Sequence, residues 1–423
     1  MSAYAVSTRG LAGRKVPQGV LATMDDLLFS GSEQGAWYDP SDMSTLWQDS
    51  AGTTPVTAVE QPVGRMLDLS GRGNHASMAT TTKRPTYSRR VNLLALTEAM
   101  SPTGVPGTGW TRGAFGNWTL PTDLGAMLAP DGSTNAVGIK SVLASSVTTL
   151  VQRVSAPPST PMVFRLWVRT VEGESQAGLP PLCLVVQTGS NGVLVDTNYA
   201  SSIIGGAVTA EWQMFEFAFT TPATGVNQVE VGIRFPATSL AAVAVWGASL
   251  TLATDAHLQY QRVNTATDYD ADPAKFPAYL LFDGVDDALQ TGNIDFTSTD
   301  KMTVWAGVTK LSDAAAAILL ETSSGIGGAA GALAMYAPTV TATPSASFAS
   351  KGTTRQDMQA AGWAAPATRV VTGLADISAP SVNLRLNGVA GTAVTSSQGT
   401  GNYGNYPLYI GARAGTSFYF NGR

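Results

Sequence analysis

Short apolar runs, broken every 8–12 residues by clusters of Gly, Pro, Asn, Asp and Ser, dominate the chain from Trp37 onward. That spacing predicts strands and tight turns of a β-sandwich. Turn signals fall at DLSGRGN (68–74), SPTGVPGTG (101–109), TGSNG (188–192) and LNG (386–388). Within the runs the alternation is strict. MVFRLWVRT at 162–170 sends Phe164, Leu166 and Val168 to one face and Arg165, Trp167 and Arg169 to the other. QMFEFAF at 213–219 directs Phe215, Phe217 and Phe219 inward, with Met214 and Glu216 opposite. QVEVGIRF at 228–235 directs Val229, Val231, Ile233 and Phe235 inward and Glu230 and Arg234 outward. LRLNGV at 384–389 contains Asn387-Gly388, the preferred pair for a type I′ hairpin. Long stretches of period 3.6 are missing; LATMDDLLF at 21–29 is the one short helix the pattern suggests. Half-buried strands of this kind fit antiparallel sandwiches with one wet face. The expected class is all-β, built of antiparallel sheets packed as sandwiches, with an extended arm before Trp37.

The order of the segments resembles a known architecture. WYDPSDMSTLWQDSAGTTPV (37–56), MLDLSGRGNHA (66–76) and RPTY (84–87) resemble the opening of a laminin-G/concanavalin-like lectin jelly roll found in many phage virion proteins. In that family a strand of the FDGVDD type follows almost directly, and here it stands at 282–287. MTVWAGV (302–308), LRLNG (384–388), YPLYIGAR (406–413) and FNGR (420–423) continue the pattern in order. The intervening span opens with NLLALTEAM (92–100) and closes with VAVWGASLTL (243–252), and resembles the carbohydrate-binding-module-like jelly roll often inserted in phage tail proteins. The resulting division is an arm or docking segment at 1–36, a discontinuous lectin-like sandwich at 37–90 plus 276–423, an inserted sandwich at 91–255, and a linker at 256–275. Insertions succeed at exposed loops whose ends lie close together. In the family FNGR begins a closing strand, so a chain stopping at Arg423 reads as a fragment, with a strand supplied by a partner as the alternative.

Composition narrows the function. With 25 Lys plus Arg against 30 Asp plus Glu, the net charge is −5, and no basic block suggests a nucleic-acid partner. No run of 18 apolar residues suggests membrane insertion. Cys183 is the single cysteine, which excludes an intrachain disulfide and a Cys-based zinc site. His75 and His257 are too few for a multi-His metal site. His75 reads as a turn residue, and the glycines at 325, 327, 328 and 331 as a mobile loop without the lysine of a phosphate loop.

Glycoside hydrolysis needs two carboxylates flanking the scissile bond. No Glu-x-Asp-x-x-Glu run supplies them, and Glu172 and Glu174 lie in a segment that reads as a loop. No catalytic residue is assigned, and the chain reads as non-enzymatic. Asp283, Asp286 and Asp287 admit two readings: a turn whose carboxylates cap backbone amides, or a calcium site, since hard cations take clustered oxygen ligands. Calcium is the one cofactor the sequence admits. For sugar binding the chain offers Trp167 between Arg165 and Arg169, with Glu216, Glu230 and Arg234 joining if neighbouring strands pair suitably, while Trp110 and Trp118 read either as rim aromatics or as core closing the end of the sandwich. A solvated face with Arg stems packed on the indole is the plain alternative. Trp246, flanked by Ala and Val, reads as core, while Trp363, Tyr403 and Tyr406 lie near loops.

The resemblance implies a virion protein made in the host cytoplasm, a tail fibre or tail-associated protein displaying lectin-like domains to a host surface glycan. It would dock to other virion proteins through residues 1–36 and form a homo-oligomer, with a trimer favoured. The alternatives are a capsid decoration or structural protein without glycan affinity and, further off, a polysaccharide depolymerase.

Overall fold

A computed structural model of the protein describes residues 4–7, 28–29, 33–102, 109–111, 119–142, 147–176, 183–190, 193–194, 200–204, 207–237 and 239–423. The helix expected at 21–29 lies outside these except for Leu28 and Phe29. The described strands pair antiparallel throughout, and the fold is all-β. No helix among the described residues is long and apolar enough to cross a membrane.

The chain divides into two compact units, residues 1–89 with 277–423, and residues 90–276. The first unit sandwiches one core between two large sheets. One runs through Ser381–Leu386, Ala367–Asp376, Lys301–Lys310, Asn421–Gly422, Tyr279–Asp283 and Thr86–Ser88. The other runs through Arg355–Ala361, Ser345–Lys351, Leu333–Tyr336, Ile318–Thr322, Asn405–Ile410 and Leu289–Asp295. Inward side chains of alternate positions, among them Val304, Ala306, Val308, Phe348, Leu384 and Leu408, fill the space between. Residues 4–7 form a strand paired on one side with Gly35–Tyr38 and on the other with Lys301–Lys310, which makes this part of the arm a member of the first sheet. The hairpin at Asn387-Gly388 joins Ser381–Leu386 to Val389–Ala390, and both turn residues adopt positive φ (51° and 80°) as a type I′ turn requires.

Three expectations for this unit change. Trp363 and Tyr403 are core residues, 0% and 2% exposed, with Trp363 Nε1 donating to Ala367 O (3.0 Å). Tyr406 is half-buried, its hydroxyl donating to Ala330 O at 2.9 Å. The glycine-rich loop is anchored rather than mobile, because Ile326 is fully buried and its N–H donates to Glu321 Oε1 (2.7 Å). Glu321, itself fully buried, is neutralised by Arg413 Nε at 2.9 Å.

The second unit is a sandwich of two five-stranded sheets among the described residues. One, here the open sheet, is ordered Gln213–Thr220, Pro161–Thr170, Ala242–Leu252, Ala136–Lys140, Thr122–Met127. The other, the closed sheet, pairs Gln228–Phe235 with Thr148–Ser155 and Cys183–Ser190, and Cys183–Ser190 with Val193–Leu194 and Ala200–Ile203. Phe164, Leu166, Val168, Val229, Val231, Ile233 and Phe235 meet in the core, as the alternation predicts. Residues 256–275 are not a linker. Gln261 is 1% exposed; its Oε1 accepts from the N–H groups of Val91 (2.8 Å) and Asn92 (3.1 Å). A buried amide bonded to the start of the unit makes the segment part of this sandwich.

Candidate functional site

The outward face of the open sheet carries a cross-strand row. Trp167 stands opposite Met214 on one neighbouring strand and Trp246 on the other. One row further along, Arg165 stands between Glu216 and Ser249. Between these rows the pairing of Pro161–Thr170 with Ala242–Leu252 slips at a bulge, and Gly247 sits in it with φ +64°. A bulge re-aims side chains locally. Here it lets Trp167 lie over the backbone: a Cβ on residue 247 would be 3.1 Å from Trp167 Cδ1 and 3.8 Å from Tyr260 Cε2. Only glycine gives both the left-handed backbone and that closeness at low cost.

Trp167 and Tyr260 therefore flank Gly247 and form two walls of a slot. The cavity measures about 360 Å³ and is lined by Arg165, Met214, Ser249, Ala256, Leu258 and Gln259 besides those three residues. That is the size and mixture of pockets that take small ligands, mostly apolar with a few polar groups. Arg165 Nε donates to Glu216 Oε2 at 2.7 Å, and Glu216 is 47% exposed, so the polar end presents a guanidinium and a carboxylate that compensate each other. Met214 is 48% exposed on the rim.

Behind the walls lies a small aromatic cluster of Trp246 with Trp167, Trp212 and Tyr260. Trp246 is buried as expected, yet outside the main core: its ring leans on Tyr260 with centroids 5.1 Å apart. Arg169, further along the face, stacks on Trp212 at 5.1 Å and does not line the slot.

The remaining sugar-site candidates fall elsewhere. Glu230 and Arg234 belong to the closed sheet, so they cannot join Trp167. Glu230 is 1% exposed, and its Oε1 accepts from Arg153 Nε (3.0 Å) and Nη2 (2.6 Å). Trp110 is fully buried in the core, with Nε1 donating to Leu96 O at 3.0 Å. Trp118 lies outside the described residues. Tyr260, Gly247, Ser249 and Gln259 were not legible as site residues, because their segments lack alternation or read as linker and core.

In the first unit, the aspartate trio caps its own turn. Asp283 Oδ1 accepts from the N–H groups of Val285 (2.7 Å) and Asp286 (3.2 Å), and Asp287 Oδ2 from that of Asp283 (3.0 Å). The three carboxylates also bring one oxygen each within 4.8 Å of one another, the kind of oxygen cluster a hard cation takes. Burial, with the like charges of Asp283 and Asp286, pushes Asp287 up to about 6. His75 orders its turn, Nδ1 accepting from Asp68 N at 3.0 Å, and burial holds its pKa below the usual histidine range.

No protein-family model matches the chain, and no curated relative matches it. Among solved structures, the enzymatically active domain of bacteriophage CBA120 tailspike protein 4 is similar over 38% of this chain at 11% identity and a TM-score of 0.28. That match spans 21% of the tailspike chain, well under two thirds of it. The CBM22-1 xylan-binding domain of Paenibacillus barcinonensis Xyn10C is similar over 38% of this chain and 94% of its own, at 14% identity and a TM-score of 0.26. Domains LG4-5 of the mouse laminin alpha1 chain are similar over 65% of this chain and 83% of theirs, at 12% identity and a TM-score of 0.27. At TM-scores of this size the similarity carries no functional argument.

Proposed function

We propose that the second unit binds a glycan in the slot between Trp167 and Tyr260, and that the chain is a non-enzymatic display protein. One observation carries this reading: two aromatic walls across a glycine floor, with Arg165, Ser249 and Gln259 at the edges. Indole and phenol faces suit the apolar C–H side of a pyranose, and the polar rim suits its hydroxyls. The polar end of the slot presents one carboxylate, Glu216, already paired with Arg165, whereas glycoside hydrolysis needs two, which supports binding without cleavage. The setting in a phage particle rests on the sequence resemblance alone. So do tail location, docking through residues 1–36, trimeric assembly and display to a host surface. Calcium at the aspartate trio is supported by the spacing of its oxygens.

The test is binding of the labelled whole protein to a panel of bacterial strains, with and without periodate oxidation of their glycans. It is paired with electrophoresis through gels containing soluble polysaccharides. The expected result is periodate-sensitive binding and a retardation that Trp167→Ala weakens about tenfold or more. Binding that survives periodate, or an unchanged Trp167→Ala protein, overturns the reading. Release of reducing sugar would make the chain an enzyme instead.

A further inference from the structure

The Tyr260 wall is held from behind. Its hydroxyl lies 2.8 Å from Thr97 Oγ1 and 3.4 Å from Glu98 Oε1. Glu98 is 9% exposed, and its Oε2 accepts from Asn135 Nδ2 at 2.6 Å. The Asn135 side chain works at both ends, because its Oδ1 accepts from Trp246 Nε1 at 3.0 Å and from Ser133 Oγ. Trp246 in turn leans on Tyr260. Three segments distant in sequence thus converge on the back of one wall. A buried carboxylate is costly where apolar packing would serve, unless its hydrogen bonds matter to the fold or the site.

We propose that Glu98 and Asn135 are positioning residues for the slot: the ionised Glu98 carboxylate holds Tyr260 and Trp246 in register with Trp167, and its protonation releases them. The proposal rests on the glycan reading only for what the slot receives. The groups facing Glu98 are Asp131 from its turn, Arg262 from the segment after Tyr260, and the Tyr260 hydroxyl. Burial and the Asp131 charge push Glu98 above the usual carboxylate range, while Arg262 and the two hydrogen bonds oppose them. The held state is therefore complete above that raised pKa and is lost as the pH falls through it.

The test needs no ligand. Indole N–H resonances of the whole protein are recorded across pH, with Trp167→Phe and Trp246→Phe used for assignment. The expected result is that both indole signals shift together, with one midpoint above that of an exposed glutamate. Glu98→Gln, which keeps the hydrogen-bonding shape, removes the titration. Asp131→Asn, at an exposed position, lowers the midpoint. Asn135→Ala shifts the Trp246 signal at every pH and, where a polysaccharide retards the parent, weakens retardation about tenfold. A Trp167 signal that ignores pH, or one that titrates unchanged in Glu98→Gln, overturns the proposal. Failure of the glycan reading shows instead in the polysaccharide gels and leaves these spectra as they are.

Discussion

Strands Pro161–Thr170 and Gln228–Phe235 carry the same alternation, with apolar side chains to one shared core and charged ones to the outside. Their outer faces nevertheless differ. On the open sheet Arg165 and Trp167 stay half-buried beside a cavity, and their neighbours Met214 and Glu216 are exposed. On the closed sheet Thr149, Val151 and Glu230 are as inaccessible as the core. Arg153 compensates the buried Glu230 carboxylate there with two nitrogens. Identical periodicity thus leaves an open slot on one outer face and a largely buried ion pair on the other. An outward charged residue on a strand is a site candidate only when something keeps its face open.

Two glutamates break or sharpen this contrast most strongly. Glu230→Ala strips Arg153 of a buried partner. A fully buried pair broken this way costs about 3–5 kcal/mol, and with Arg153 keeping 20% of its side-chain exposure the expected loss is about 2–3 kcal/mol. Glu216→Ala, at the 47% exposed end of the Arg165 pair, costs less than about 1 kcal/mol and leaves the melting temperature nearly unchanged. Thermal or denaturant unfolding of the two variants side by side checks this. Equal losses would mean that the two faces do not differ as described.

Gly247→Ala comes next. The residue must adopt a left-handed backbone, and its new methyl would press on Trp167 Cδ1 at 3.1 Å. The expected cost is about 1–2 kcal/mol of stability, with a narrowed slot. The closed sheet offers a control of another kind. A Cβ on Gly232 would lie 2.0 Å from Leu150 O, a collision with backbone that cannot move aside, so Gly232→Ala is the more damaging of the two in the same unfolding experiment.

The strands themselves were legible because period two is a direct consequence of the pleat. The Arg165–Trp167 row stood on one face at sequence level, and so did the inward phenylalanines of Gln213–Thr220. Which strands share a sheet was not legible. It placed Glu230 and Arg234 across the sandwich from Trp167, and only long-range pairing sets it. Tyr260 was missed for a different reason. YQRVNTATDY is polar and lacks periodicity, yet Gln261 anchors it by side-chain bonds to Val91 and Asn92, residues about 170 positions earlier. Trp246 looked like core from its Ala and Val neighbours. The bulge at Gly247 and the pairing with Trp167 put it behind the slot instead.

The smallest effect concerns a buried acid of the first unit that has like charges beside it. Asp287 is 6% exposed, and burial with Asp283 and Asp286 pushes it up to about 6. Its unfolded value is near 3.9, so the folded chain holds this proton more tightly. The resulting stability is fully present below about pH 4 and is lost as the pH rises through about 6. Asp287→Asn keeps an oxygen for the Asp283 N–H and removes the charge. The variant should therefore be more stable than its parent at pH 8 by on the order of 1 kcal/mol, with the difference closing by pH 4. Calcium acts in the opposite sense. If the trio binds it, millimolar calcium at pH 8 raises the parent's melting temperature and leaves Asp287→Asn behind. A parent that gains nothing from calcium, beside a variant that is more stable at pH 8, assigns the trio to capping its turn.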